Sequence, residues 1–310
     1  MARITMKKAK RQTIEEIYGN FLSAAASRGV KDKTLDTYRQ HFHAISKRLD
    51  VELPIAELTK QDLEDMILSM REDQLADSSI SSYTRTLKTF LSWCNEEGYT
   101  KVNIPIYRAA DTVKETYTDE ELLALLKKPE GDCSFCEYRN WVIINFLLNS
   151  GCRAATVRNI QEQDVDLSRR QILFRHTKNG SIQVIPLCSS MIAILREYMA
   201  IREANSTEYL FCDEFGGQLT ENALRLAITR YNKSRGVERT SIHAFRHTFA
   251  RKYLVDCGGD AFSLQKLMGH STLNMTKHYC NIFNDDILRN HEQRSPLSQM
   301  QKMKHTSIKK

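Results

Sequence analysis

His243-Ala244-Phe245-Arg246-His247, then Met268-Gly269-His270, then His278-Tyr279, is the part of this chain that decides its reading. These stretches gather cationic and imidazole groups around one phenol and contain no carboxylate. Such a set suits a phosphodiester, a singly negative electrophile attacked by an oxygen nucleophile. A phenol is a weak nucleophile at neutral pH because it ionises only near pH ~10. It needs cations beside it and a base to take its proton. His243 and Arg246 stand three residues apart, so a helix over 242–256 puts them on one side. A guanidinium suits phosphate because its planar fork bonds two oxygens and keeps its charge.

Further cations lie upstream, Arg153 in Ser150-Gly151-Cys152-Arg153 and Lys178 in Thr177-Lys178-Asn179-Gly180. Around Lys178 the composition turns strand-like. Gln171–Phe174 and Ile182–Leu187 are rich in β-formers, and Asn179-Gly180 between them is a hairpin signal. Helical patterns surround this segment, at about 118–128, 137–150, 189–203, 220–234, 242–256, 261–268, 272–280 and 283–293.

The first hundred residues read as four helices. Thr13-x-x-Glu16 is a capping box, followed by Ile14, Ile17, Phe21 and Leu22, with Gly29 as a stop. Leu35, Tyr38, Phe42, Ile45 and Leu49 give the second helix its apolar face. The third opens at Thr59 and the fourth carries Ile80, Tyr83, Leu87, Phe90 and Leu91. Aromatics at these spacings are core residues rather than platforms for bases. Residues 101–116, with Pro105, lose the period, and a second capping box, Thr118-x-x-Glu121, opens the next helix.

At 310 residues the chain has room for two cored domains. Its 27% charged and 41% hydrophobic residues read as soluble and globular, and a net charge of +7 is compatible with nucleic acid without requiring it. The longest apolar run, Trp141 to Leu148, is too short to span a bilayer. The eight cysteines include one Cys133-x-x-Cys136 with no second pair to complete a zinc site. They read as reduced thiols of a cytosolic protein. No phosphate-cradling glycine loop and no carboxylate cluster accompanies the motifs, so neither a nucleotide cofactor nor a metal is expected.

Taken in order over 150–279, the motifs around Arg153, Lys178, His243–Arg246, His270 and Tyr279 resemble those of the tyrosine recombinase (phage integrase) family. The resemblance covers nearly the whole chain and is closest to its short, Xer-like or transposon-integrase members. It implies a mainly α fold with a small antiparallel sheet. A basic tail, 1–12, would precede a helical, SAM-like core-binding domain, 13–100. A linker, 101–116, would join it to a mixed α+β catalytic domain, 117–294, followed by a tail, 295–310. Tyr279 would be the nucleophile. Arg153 and Arg246 would clamp the scissile phosphate, with His270 donating to it, His243 acting as acid or base at the tyrosine, and Lys178 protonating the leaving 5′ oxygen. His247 and His278 fall outside the motifs.

The implied activity is site-specific cutting and rejoining of double-stranded DNA through a 3′-phosphotyrosyl intermediate. The energy of the broken linkage stays in that bond, so no ATP is needed. A homotetramer would hold paired sites, with the segment beyond Tyr279 docking on a neighbouring subunit. A first domain beginning near Thr13 points to a simple recombinase or a short transposon integrase rather than a lambda-type integrase, and integration and excision of a mobile element is the expected role. Chromosome-dimer resolution, a type IB topoisomerase and a non-catalytic DNA-binding regulator are the alternatives. One departure stands out. The family usually has an acidic residue three positions after the first arginine, and here that position is Thr156.

Overall fold

The computed structural model describes residues 12–109, 115–175, 182–202 and 208–270, together with 272, 295 and 297. The chain divides into two compact units, Met1–Thr112 and Val113–Lys310.

The first unit is built from α1 (Ile14–Ser27), α2 (Asp32–Ser46), α3 (Lys60–Glu72) and α4 (Asp77–Glu96), with a 3-10 turn at Ile55–Glu57. Both expected starts are chemical. Thr13 Oγ1 accepts from the Glu16 amide and Glu16 Oε2 accepts from the Thr13 amide, each at 3.2 Å. Thr59 and Asp62 repeat the exchange at α3, at 2.8 and 3.3 Å. Each box satisfies two amides that a helix start leaves without partners. The aromatics do form core. Tyr18 stacks on Phe42 with ring centroids 3.8 Å apart and meets Phe90 edge-on at 4.9 Å. Burying each such ring contributes about 1.5–3 kcal/mol. The Tyr18 hydroxyl donates to the Tyr38 carbonyl at 2.9 Å, and burial pushes its ionisation well up.

The second unit is organised around α6 (Phe135–Ser150). Trp141, Val142, Ile143, Ile144, Phe146 and Leu147 are all buried, so this helix is apolar on every side. It packs against α5 (Asp119–Leu126), α8 (Ser189–Arg202), α9 (Glu221–Ser234) and α10 (Ile242–Val255). Helix α11 (Ala261–Met268) follows α10. The sheet is antiparallel, in the order β1 (Val165–Asp166), β2 (Gln171–Phe174), β3 (Gln183–Pro186). Ile172 faces Ile185 across β2 and β3, and both are fully buried, while Val184 is exposed on the other face. This alternation is that of a sheet covered on one side.

The expected class, mainly α with a small antiparallel sheet, is the observed one. The sequence pattern omits α7 (Ala154–Asn159), β1 and the 3-10 turns, because six residues or fewer are too short to display a period. Helix α5 stops at Leu126, short of the expected 128, where Pro129 disfavours a helical Lys128. Helix α6 starts earlier than expected because Ser134 caps it, its Oγ accepting from the Glu137 amide at 3.1 Å. The connection 176–181 and the expected helices at 272–280 and 283–293 lie outside the described residues, as do both basic ends. Among the described residues no helix is long and apolar enough to cross a membrane.

Candidate active site

Three chain segments meet at the end of α6. The first is its own exit. Gly151 adopts φ 58°, ψ 20°, and its amide closes the helix onto the Leu147 carbonyl at 2.9 Å. A Cβ there would lie 2.3 Å from the Phe249 ring, so glycine is required twice over, by backbone and by space. Cys152 follows, buried, and Arg153 turns the chain into α7 as its N-cap, with φ −82° and ψ 153°. Thr156 is the third residue of α7, buried, with its amide on the Arg153 carbonyl at 2.9 Å. An acidic residue at this third position would be placed to reach back to the cap amide. Here the first turn of α7 has no acidic residue and no side-chain cap.

The second segment is α10. His243 is exposed in its first turn, whereas Arg246, one turn on, is buried. Arg246 Nη1 donates to the Gly151 carbonyl at 2.7 Å and Nη2 donates to the Met268 carbonyl at 2.9 Å. The guanidinium therefore bolts the exit of α6 to the end of α11. The third segment is that end. Gly269, at φ 61° and ψ 44°, terminates α11 and delivers His270 to the Arg246 Nη2, 2.8 Å from its Nε2. A guanidinium has no acceptor, so in this contact the imidazole accepts at Nε2 and its proton resides on Nδ1. The His270 amide donates to the Gln265 carbonyl at 3.0 Å, and Gln265 Nε2 donates back to the His270 carbonyl at 3.2 Å.

Arg153 is only half-buried, and among the described residues its guanidinium makes no hydrogen bond or ion pair. It follows by two residues the Gly151 carbonyl that Arg246 holds, and the Cys152 thiol between them feels both guanidiniums. Burial pushes that thiol up to about 11, against the pull of Ser150 and of the two guanidiniums. Two arginines around one buried sulfur, one committed to carbonyls and one not, leave a concentrated positive field. An oxyanion is the ligand that satisfies such a pair with charge-assisted hydrogen bonds. Among the described residues no cluster of His, Cys, Asp and Glu could hold a metal ion.

The structure thus brings Arg246 and His270 together, places Arg153 two residues after the Gly151 carbonyl that Arg246 holds, and leaves His243 exposed on α10. Lys178 and Tyr279 lie outside the described residues, as does His278. His247 is half-buried on α10. The sequence pattern gives no sign of the carbonyls of Gly151 and Met268 as ligands of Arg246, nor of Gln265 and Gln183 around α11. Their partners are distant in sequence and amides carry no periodic signal. Arg175, the last described residue before Lys178, is anchored by an ion pair to the buried carboxylate of Asp164.

A two-unit chain with a helical first part and a catalytic unit of this build is the fold of the DNA integrases. The structure matches the Tn1549 transposon integrase in complex with transposon right end DNA with a TM-score of 0.75, at 21% identity, covering 92% of this chain and 99% of that one. It matches the lambda integrase tetramer bound to a Holliday junction with a TM-score of 0.70, at 18% identity, covering 87% and 78%. The model of the phage integrase family matches residues 115–285, and that of the phage integrase N-terminal SAM-like domain matches residues 18–98. The chain belongs to the phage integrase family, and it is a site-specific DNA recombinase of the tyrosine class. Its relatives include the tyrosine recombinase XerC of Oceanobacillus iheyensis, 27% identical over 250 residues, covering 75% of this chain and 79% of that one. The XerC of Roseiflexus castenholzii is 23% identical over 295 residues, covering 91% and 93%.

Proposed function

We propose that this recombinase cuts and rejoins DNA through a covalent bond between Tyr279 and the 3′ phosphate. The Tyr279 oxygen attacks phosphorus, the bond from phosphorus to the 5′ oxygen breaks, and Lys178 gives that oxygen its proton. His243 takes the phenol proton. Arg153 and Arg246 hold the phosphoryl oxygens as charge grows on them, and His270 contributes a hydrogen bond. Rejoining reverses the steps with a new 5′ hydroxyl. The observation that carries this reading is the Arg246–His270 pair at 2.8 Å, with Arg246 also on the Gly151 carbonyl two residues before Arg153. Removing one such transition-state donor typically costs on the order of a hundredfold or more in rate.

In this proposal residues 13–100 form the DNA-clamping domain, 101–116 the linker and 117–294 the catalytic domain, with tails at 1–12 and 295–310. Paired DNA sites are held by a homotetramer that exchanges the segment after Tyr279 between subunits, in the cytoplasm. The likeness to a lambda integrase tetramer bound to a Holliday junction and to a transposon integrase supports this arrangement. Integration and excision of a mobile element is the role proposed, and relatives named XerC keep chromosome-dimer resolution beside it. Inverted repeats around a short spacer next to the gene would define the site.

The test is a nicked suicide duplex analysed on a denaturing gel. Tyr279→Phe should bind DNA normally and form no covalent adduct, and an adduct at parental yield would sink the assignment. Lys178→Ala should be slow on ordinary DNA, by roughly a hundredfold to ten-thousandfold. It should recover when sulfur replaces the bridging 5′ oxygen, because a thiolate leaves without a proton. A large defect without sulfur rescue removes Lys178 as the acid.

A further inference from the structure

Gln183 opens β3, paired across the sheet with Phe174, and is half-buried. Its carboxamide leaves the sheet and ends on α11. Nε2 donates to the carbonyl oxygens of Lys266 and Leu267, at 2.5 and 2.7 Å. These belong to the last turn of α11, where helix carbonyls lack the usual amide four residues on, and the Lys266 carbonyl also accepts from the Gly269 amide at 3.2 Å. The fit is close on the other side as well. A Cβ on Gly269 would come within 2.8 Å of Gln183 Oε1, so the left-handed glycine that ends the helix also makes room for the amide. The next residue is His270, and beyond it is Arg246.

One side chain therefore fastens the sheet to the turn that presents His270. The same strand leads, five residues upstream in sequence, to Lys178. Both segments carry residues of the proposed chemistry, and Gln183 is where the described part of one meets the other. A misplacement of about 1 Å in such a constellation costs on the order of a hundredfold in rate.

We propose that Gln183 is a positioning residue of the reaction. It fixes the C-terminal turn of α11 against the sheet and so holds His270 in register with Arg246. This rests on the proposed role of His270 and Arg246 at the scissile phosphate.

Two variants separate the donor from the shape. Gln183→Glu keeps the shape, loses both N–H groups and brings negative charge to the negative end of a helix. Gln183→Arg restores N–H donors with a charge that suits that end. Single-turnover cleavage, gel-shift affinity and thermal unfolding are measured on the full chain. Gln183→Glu should slow cleavage by roughly tenfold to a hundredfold, with affinity changed far less. Gln183→Arg should keep most of the parental rate. If the glutamate variant melts early, the neutral, donor-free Gln183→Met replaces it.

The decisive comparison is made in a His270→Ala background. There the Gln183 substitution should add little, because its effect passes through His270, and contacts in one network do not act independently. Losses that multiply, or affinity that falls as far as the rate, would overturn the proposal and leave Gln183 a stability or DNA-binding residue. His270→Ala cleaving at the parental rate is a different result, since it overturns the role of His270 itself.

Discussion

Gly151→Ala puts a single methyl group where three segments of the site meet. The backbone cost comes first. Gly151 sits at φ 58°, where an L-residue loses roughly 1–2 kcal/mol. The steric cost comes second. The new Cβ would be 2.3, 2.8 and 2.9 Å from Cδ1, Cε1 and Cγ of Phe249. That ring is half-buried and packs on the Tyr253 ring, with centroids 5.8 Å apart, so moving it would break this packing. Overpacking of this kind costs about 1–3 kcal/mol. Together the two give about 2–5 kcal/mol, a large fraction of an ordinary domain's roughly 5–15. Because the Gly151 carbonyl holds Arg246 Nη1, the same methyl should also slow DNA cleavage. The assay is urea unfolding in a Trp93→Phe background, where Trp141 alone reports on the second unit. In a Phe249→Ala background the cost of Gly151→Ala should shrink to the backbone part, about 1–2 kcal/mol. A variant within about 0.5 kcal/mol of the parent, the range of an ordinary surface change, would refute the reasoning. An undiminished cost beside Phe249→Ala would refute the steric half.

Arg246→Lys should both destabilise the second unit and slow cleavage, since a compact ammonium cannot reproduce the planar span by which Nη1 and Nη2 meet two carbonyls and an imidazole. We expect about 1–3 kcal/mol from the unmet carbonyls and on the order of a hundredfold in rate, and a lysine variant that cleaves normally would remove Arg246 from the site. Cys152, with its buried thiol pushed up to about 11, should resist iodoacetamide at pH ~8 while exposed Cys188 and Cys257 react; early labelling of Cys152 in a mass-spectrometric time course would contradict the burial. His41 is held below its ordinary ionisation by burial, with Nδ1 2.7 Å from Thr86 Oγ1. The unfolded chain then takes up more protons below pH ~6.5, so stability present above that pH is lost as the pH falls toward the folded value. His41→Gln should flatten this acid-side slope in unfolding curves, and an unchanged slope would mean that His41 is not its source.

Much of the fold was legible because its signals are local. The boxes at Thr13 and Thr118 join residues three apart, within reach of any helix start. Leu87, Phe90 and Leu91 turn to the core because a helix repeats every 3.6 residues. The sheet was legible from β-rich runs of four to six residues, although Val165–Asp166 was too brief to register. In the candidate site, Arg153, Arg246 and His270 stood out in the chain because cations and imidazoles carry that chemistry whatever the fold. Their depth did not. His243 and Arg246 share a helical side by spacing, but one is exposed and the other buried.

The sequence by itself determined where the capped helices begin, that the chain is mainly helical, and which side chains carry charge suited to a phosphate. These depend on interactions spanning a few residues and on the intrinsic chemistry of each group. Tertiary structure alone decided that Arg246 would reach the carbonyls of Gly151 and Met268, that the Phe249 ring would press on Gly151, and that Gln183 would end on α11. The Arg246 bond to Gly151 joins positions 95 residues apart, and that of Gln183 to Leu267 joins positions 84 apart. No local rule fixes such pairs. They follow from how the apolar faces of α6, α10 and α11 and the sheet close on one another, which sets the few ångströms in which a hydrogen bond either forms or does not.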